Sequence, residues 1–128
     1  KSKLMPHARE VLEYLSGKYN LYILSNGFKE LQSHKMRSSG IDEYFKKVVL
    51  SDDIGILKPW PEIFHFALST TQSELNNSLM IGDSWENDIV GAAGVGMHQV
   101  FYNLSGRTDL PFAPTYQITD LKDLFNFL

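Results

Sequence analysis

The sequence predicts an α/β fold built on a mainly parallel sheet. Three observations carry this. Short apolar runs recur along the chain: LYILS, KKVVL, SLMI, HQVFY and, more weakly, TYQI. They are continuous rather than alternating, as strands covered on both faces should be. Stretches with helical spacing separate them, the order that builds β-α-β units.

The elements follow in chain order. Pro6 suits a first helical turn, and Ala8, Val11, Leu12 and Leu15 then recur on one face. LYILSNG is the first strand and ends in turn residues. Asn26-Gly27 alone reads as a hairpin turn, but the helical character of FKELQSHKM favours a strand-to-helix turn. That second helix covers residues 29 to 39, with Gly40 placed to cap it. KKVVLSDD is the second strand. A third helix starts near Pro61 and carries Ile63, Phe64, Ala67 and Leu68. SLMIGD is the third strand, and Gly82 would permit a sharp exit from it. A helix from about Glu86 to Val95 follows. Its Gly91, Ala92, Ala93 and Gly94 would let it lie close against the sheet, with Gly96 capping its end. HQVFYN and TYQITD are the last strands, joined by the irregular loop NLSGRTDLPFAP. DLKDLFNFL is a final helix with Asp120 as its N-cap. Phe45, Phe64, Phe66 and Phe101 are core candidates, and Trp60 and Trp85 read as packing residues.

Bulk properties narrow the function. The 128 residues suit one domain, spanning 1–128. A chain of this size buries roughly two-thirds of its unfolded surface. It is 43% hydrophobic and 21% charged, the balance of a soluble globular protein. A net charge of -3, with no basic run beyond one Lys-Lys pair, argues against nucleic acid. The lack of cysteine excludes disulfides and thiol chemistry and fits a reducing, cytoplasmic setting. No apolar run approaches the roughly 20 residues of a membrane span, and KSKLMPHARE lacks the apolar segment of a signal peptide.

In parallel sheets, ligands bind beyond the carboxyl ends of the strands. Ser25, Asn26 and Gly27 stand at the first such end. Ser51, Asp52, Asp53 and then Lys58 follow the second, and Asp83, Ser84 and Asp88 follow the third. Carboxylates beside a phosphate make sense with a metal between them, and Mg²⁺ takes one or two carboxylates with waters and phosphate. Asp83 is a candidate ligand, and Asp88 a second that holds the metal's waters. Ser25 and the N–H groups of Asn26 and Gly27 are candidate phosphoryl donors. Lys58 would neutralise charge on the phosphoryl group. Asn87 is the best supporting residue near the carboxylates; Ser84 and Glu86 read as capping or solvated. The plainer alternative makes Asp83 and Asp88 helix caps and Lys58 an ordinary exposed lysine. His7, His34, His65 and His98 show no metal-ligand spacing.

LYILSNG, LKPWPEIF and LMIGDSWENDIVGAAGVGM, in that order and spacing, resemble the second, third and fourth motifs of the haloacid dehalogenase-like (HAD) hydrolases. The likeness runs from about Met5 to Leu128. SNGF, KPWPEIF and the terminal TYQITDLKDL look closest to the pyrimidine 5'-nucleotidase branch. The resemblance implies a Rossmann-like HAD core and a Mg²⁺-dependent hydrolase of phosphate monoesters that works through an aspartyl-phosphate. It assigns phosphoryl binding to Ser25, its support to Lys58, Mg²⁺ ligation to Asp83 and order in the metal shell to Asp88. The implied substrate is a small phosphorylated molecule, with a nucleoside 5'-monophosphate as one case.

One departure is large. The family's first motif, DxDx[TV], supplies the nucleophile, and the chain contains no Asp-x-Asp tripeptide. The cap inserted after that motif in this branch is missing as well. The expectation is therefore the C-terminal part of a HAD core, motifs two to four, inactive alone because its nucleophile lies outside it. The first strand of the family lies between the strands that here read LYILSN and LMIGD. Its loss would leave two unpaired edges, to be filled by an N-terminal segment or by self-association. The alternative is a non-catalytic phosphate- or metal-binding module of the same fold.

Overall fold

The computed structural model describes residues 7 to 33 and 40 to 128. Pro6, His34 and the C-terminal half of the expected second helix lie outside these residues. The chain divides into two compact units: the residues up to Gly55 together with Asp120–Leu128, and Ile56–Thr119.

In the first unit, helix α1 (Ala8–Ser16) buries Ala8, Val11 and Leu15, the apolar face that the spacing predicts. Strand β1 (Tyr22–Ser25) pairs in parallel with β2 (Lys47–Leu50), Ser25 standing opposite Leu50. Helix α2 (Phe28–Ser33) follows β1 directly, so Asn26-Gly27 is a strand-to-helix turn and not a hairpin. The chain's last segment, Leu121–Asn126, is a 3₁₀ helix rather than an α-helix. Asp120 caps it as expected, accepting the Lys122 N–H, and the Asp123 carboxylate accepts the Asp120 N–H in return. This segment packs on α1, where Phe125 meets Tyr14 edge to face at 4.9 Å and Leu124 is buried. Phe45 is only half-buried.

The second unit holds a three-stranded parallel sheet in the order β3 (Leu79–Gly82), β4 (His98–Tyr102), β5 (Tyr116–Ile118). All five expected strands are thus present and every pairing is parallel. Among the described residues, β1 and β3 each pair on one side only within their own sheets. Helix α3 (Pro61–Thr70) opens on Pro61 and buries Ile63 and Phe64; Phe66 is half-buried. Of the two tryptophans only Trp85 packs, at 3% exposure; Trp60 is 64% exposed, against expectation, because as the residue preceding α3 it projects from the loop into solvent.

The expected helix over 86–95 is not a single α-helix. It begins as a wide π turn, Trp85–Ile89, and only then becomes α4 (Val90–Gly94). Ser84 anchors this turn by accepting the Asn87 N–H on its hydroxyl and the Asp88 N–H on its carbonyl. The small residues of α4 serve mainly to admit α3. A Cβ on Gly91 would lie 2.4 Å from the Phe64 ring and 3.2 Å from Pro59 Cα, whereas one on Gly94 would meet nothing. Gly96 closes α4 with φ of 83°, a conformation that suits glycine. No helix among the described residues is long and apolar enough to cross a membrane. Gly91→Ala should destabilise the protein by about 1–3 kcal/mol through overpacking against the buried Phe64. Chemical denaturation measures this, and a change within error of zero would show that α3 and α4 separate freely.

Candidate active site

The candidate residues form two groups, one in each unit. The second unit holds the carboxylates and the lysine. Lys58 Nζ donates to Asp88 Oδ1 at 2.8 Å. Both side chains are deeply buried, at 4% and 8% exposure. The other carboxylate oxygen, Oδ2, accepts the Ser84 N–H at 3.2 Å. Gly82 makes room for this arrangement, since a Cβ there would fall 2.2 Å from Asp88 Oδ2. Its φ is not in the left-handed region, so the glycine serves close approach and not the sharp exit expected of it.

The plainer readings hold in part: Ser84 is the N-cap of the turn and Asp88 accepts its N–H in return, while Asp83 caps nothing. Lys58 is buried and ion-paired, not an exposed lysine before a turn. A buried ion pair adds little net stability over an apolar pair of the same size, because both ions lose their water.

Asp83, next to the end of β3, is exposed, and its carboxylate makes no hydrogen bond or ion pair among the described residues. It is open to a cation. No group of three or more His, Cys, Asp or Glu gathers into a metal cage among the described residues. One open carboxylate with a second nearby in sequence fits Mg²⁺, which keeps most of its waters, better than Zn²⁺ or Ca²⁺, which draw several protein ligands. Asn87 is half-buried on the same turn.

The first unit holds Ser25, Asn26 and Gly27. Ser25 is buried, at 2% exposure. Its hydroxyl donates to Gly27 O at 2.8 Å and accepts the Gly27 N–H at 3.2 Å. The Asn26 N–H donates to Glu30 Oε1 at 2.9 Å, and the Ser51 hydroxyl donates to Asn26 O at 2.8 Å. The two N–H groups expected to be free thus already have partners. The reasons are local: Glu30, in the first turn of α2, brings its carboxylate back onto the Asn26 N–H, and the Ser25 hydroxyl takes the Gly27 N–H. Asp52 and Asp53 are exposed, and Asp53 spends one oxygen on the Leu50 N–H at 3.1 Å.

A further network escaped the sequence reading. Arg107, in the loop after β4, donates from Nη1 to Glu86 Oε2 at 2.9 Å and from Nε to Asp109 Oδ1 at 3.1 Å. Its guanidinium lies 5.8 Å from the Trp85 ring centre. Glu86 is therefore paired and not merely solvated. The hydrogen bond from Arg107 holds the carboxyls of Glu86 and Asp109 below their ordinary range, and those partners raise the guanidinium in turn. Only the Arg-Thr-Asp triplet hinted at this, and nothing local in the sequence named Glu86 as a partner.

The sign of the pH effect follows. The Asp109 pKa is depressed in the folded state, so its contribution to stability is present above the ordinary aspartate range, roughly pH 4. It is lost as pH falls through the lower folded value. Followed by NMR, the Asp109 carboxyl should titrate below the ordinary value in the native chain and return toward it in Arg107→Ala; identical titrations would contradict the pairing.

The model of the haloacid dehalogenase-like hydrolases matches residues 1–96. The chain is similar to the HAD-hydrolase YfnB of Bacillus subtilis, 31% identical over 98% of this chain and 54% of the relative. A magnesium-bound crystal structure of that protein superposes with a TM-score of 0.87 at 30% identity, covering 97% of this chain and 54% of the other. It is also similar to the pyrimidine 5'-nucleotidase YjjG of Escherichia coli, 31% identical over 97% of this chain and 56% of the relative. A HAD phosphatase structure from Thermococcus onnurineus gives a TM-score of 0.86 at 31% identity over 97% of this chain and 57% of that one. The chain spans about half the length of the curated relatives it matches. The parallel α/β architecture, the three ordered motifs and the extent of the match show that this chain belongs to the haloacid dehalogenase-like hydrolase family.

Proposed function

We propose that the chain supplies the phosphoryl-binding and metal-binding residues of a Mg²⁺-dependent phosphatase acting on small phosphorylated molecules in the cytoplasm. The observation that carries this reading is the pairing of the buried Lys58–Asp88 contact with the open carboxylate of Asp83 on one turn. On this reading Asp83 holds Mg²⁺, which neutralises charge on the phosphoryl oxygens when bound. Asp88 fixes Lys58 in place and supports the metal's waters. Asn87 assists from the same turn. Lys58 offers its ammonium to the phosphoryl group, and the Ser25 hydroxyl donates to a phosphoryl oxygen. The Asn26 and Gly27 N–H groups join it only when Glu30 and Ser25 release them.

The reaction proposed is hydrolysis of a phosphate monoester through an aspartyl-phosphate. No Asp-x-Asp motif occurs in the 128 residues, so the nucleophile comes from a segment outside them. These residues then form a HAD core fragment that is inactive by itself, since such esters hydrolyse extremely slowly without catalysis. The open edges of β1 and β3 within their sheets support completion by that segment or by self-association. The similarity to a protein named pyrimidine 5'-nucleotidase supports nucleoside 5'-monophosphates as one substrate class; relatives named for glyceraldehyde 3-phosphate and phosphoserine hold the class broader.

A segment carrying the Asp-x-Asp motif, joined to or mixed with this chain, should give Mg²⁺-dependent hydrolysis of phosphate monoesters. Asp83→Asn in that assembly should lose at least tenfold in Mg²⁺ affinity, as expected when a ligating carboxylate is replaced by its amide. Unchanged metal dependence in Asp83→Asn, or no hydrolysis across a panel of sugar and nucleoside monophosphates, would sink the reading.

A further inference from the structure

The loop between β4 and β5 is built around Arg107. Asn103, buried at 7% exposure, closes its base: Nδ2 donates to Arg107 O at 2.8 Å and to Gln117 Oε1 at 2.6 Å, while Oδ1 accepts the Arg107 N–H at 3.0 Å. The Arg107 backbone is thereby fixed from its own loop. Its side chain reaches to the Trp85–Ile89 turn, which starts two residues after Asp83. There it meets two successive residues by two kinds of contact, Glu86 by charge and Trp85 by the ring face. Trp85 is itself held between Phe101, edge to face at 5.1 Å, and Phe112 at 4.7 Å.

Asp83 has no anchor of its own. Its carboxylate has no partner among the described residues, so the backbone of the turn sets its aim. Two sets of contacts hold that backbone. One is internal, through Ser84 and Asp88. The other is external, through Arg107. Isolated exposed ion pairs add little. A guanidinium is different, because its rigid fork engages two carboxylates at once while its charge lies over an indole ring, here 5.8 Å from the ring centre. Asp109, by taking Nε, orients that fork toward Glu86.

We infer that Arg107 is a positioning residue for the metal-binding turn: by gripping Glu86 and Trp85 from the β4–β5 loop it holds the Asp83 carboxylate on the cation. The inference rests on the reading of Asp83 as the Mg²⁺ ligand given above.

Hydrogen exchange of single amides tests the grip without metal. The Asn87 and Asp88 N–H groups both bond to Ser84 and report on the turn. In Arg107→Ala their exchange should quicken roughly three- to tenfold, with Val100 and Phe101 of β4 unchanged. Glu86→Gln, at an exposed position that leaves the fold intact, should show the same pattern more weakly. Isothermal titration with Mg²⁺ on the complete core should show affinity falling by a similar factor in Arg107→Ala. Unchanged exchange at Asn87 and Asp88, or equal quickening in β4, would overturn the inference. So would wild-type Mg²⁺ affinity in Arg107→Ala when Asp83→Asn abolishes binding. If instead Asp83→Asn binds Mg²⁺ normally while Arg107→Ala loosens the turn, the metal reading fails and the grip on the turn stands.

Discussion

A buried lysine and a buried aspartate, 2.8 Å apart, constrain most of what surrounds them. Neither charge is tolerable alone in that place, since an unpaired buried ion costs several kcal/mol. Asp88 must turn inward, which the wide π turn allows and which Ser84 stabilises by giving its N–H to the second carboxylate oxygen. The strand end must leave space for the carboxylate, and only glycine does so at position 82. Lys58 must enter from the loop before α3, and the close approach of α4 at Gly91 seals Phe64 and Pro59 beside it. One contact thus accounts for the glycine at position 82 and for the inward course of the irregular turn.

The consequence for function is a division of labour on one turn. Asp88 is committed inward to the lysine, and Asp83 is left outward and open. The same turn offers Glu86 and Trp85 to Arg107, so the open carboxylate is steadied from the far side as well. In the first unit the logic is reversed. Ser25 and the N–H groups beside it satisfy one another and Glu30, which keeps a polar turn stable when no anion is present. A phosphoryl group would offer the Asn26 N–H the same kind of charged oxygen that Glu30 does.

Much of the fold was legible in the sequence, and for a physical reason. The strands are continuous apolar runs, so all five stood out, although β2 and β5 leave Lys47, Val48, Tyr116 and Gln117 exposed and are not covered on both faces; Asp120 announced its own cap. The exact form of the short helical pieces was not legible, because it depends on tertiary contacts: the π turn follows from where Asp88 must go, and the 3₁₀ tail from packing on α1. For the candidate site, the residue types and their order at strand ends singled out Ser25, Lys58, Asp83 and Asp88 as candidates, and the structure adds the Lys58–Asp88 contact. The burial of Lys58 could not be read, since its partner lies thirty residues away. The occupied N–H groups of Asn26 and Gly27 were hidden for the opposite reason, that two nearby side chains, Glu30 and Ser25, fill places the backbone pattern leaves open. Arg107 was hidden in a stretch whose irregular composition says only that it is a loop.

Lys58 and Asp88 act as one buried unit. A double-mutant cycle on unfolding free energy, with Lys58→Met, Asp88→Leu and the pair together, measures their coupling. Each single change should cost roughly 3–5 kcal/mol by stranding the other charge, and the double variant should recover most of that loss. Single effects that simply add in the double variant would show that the two charges are held independently.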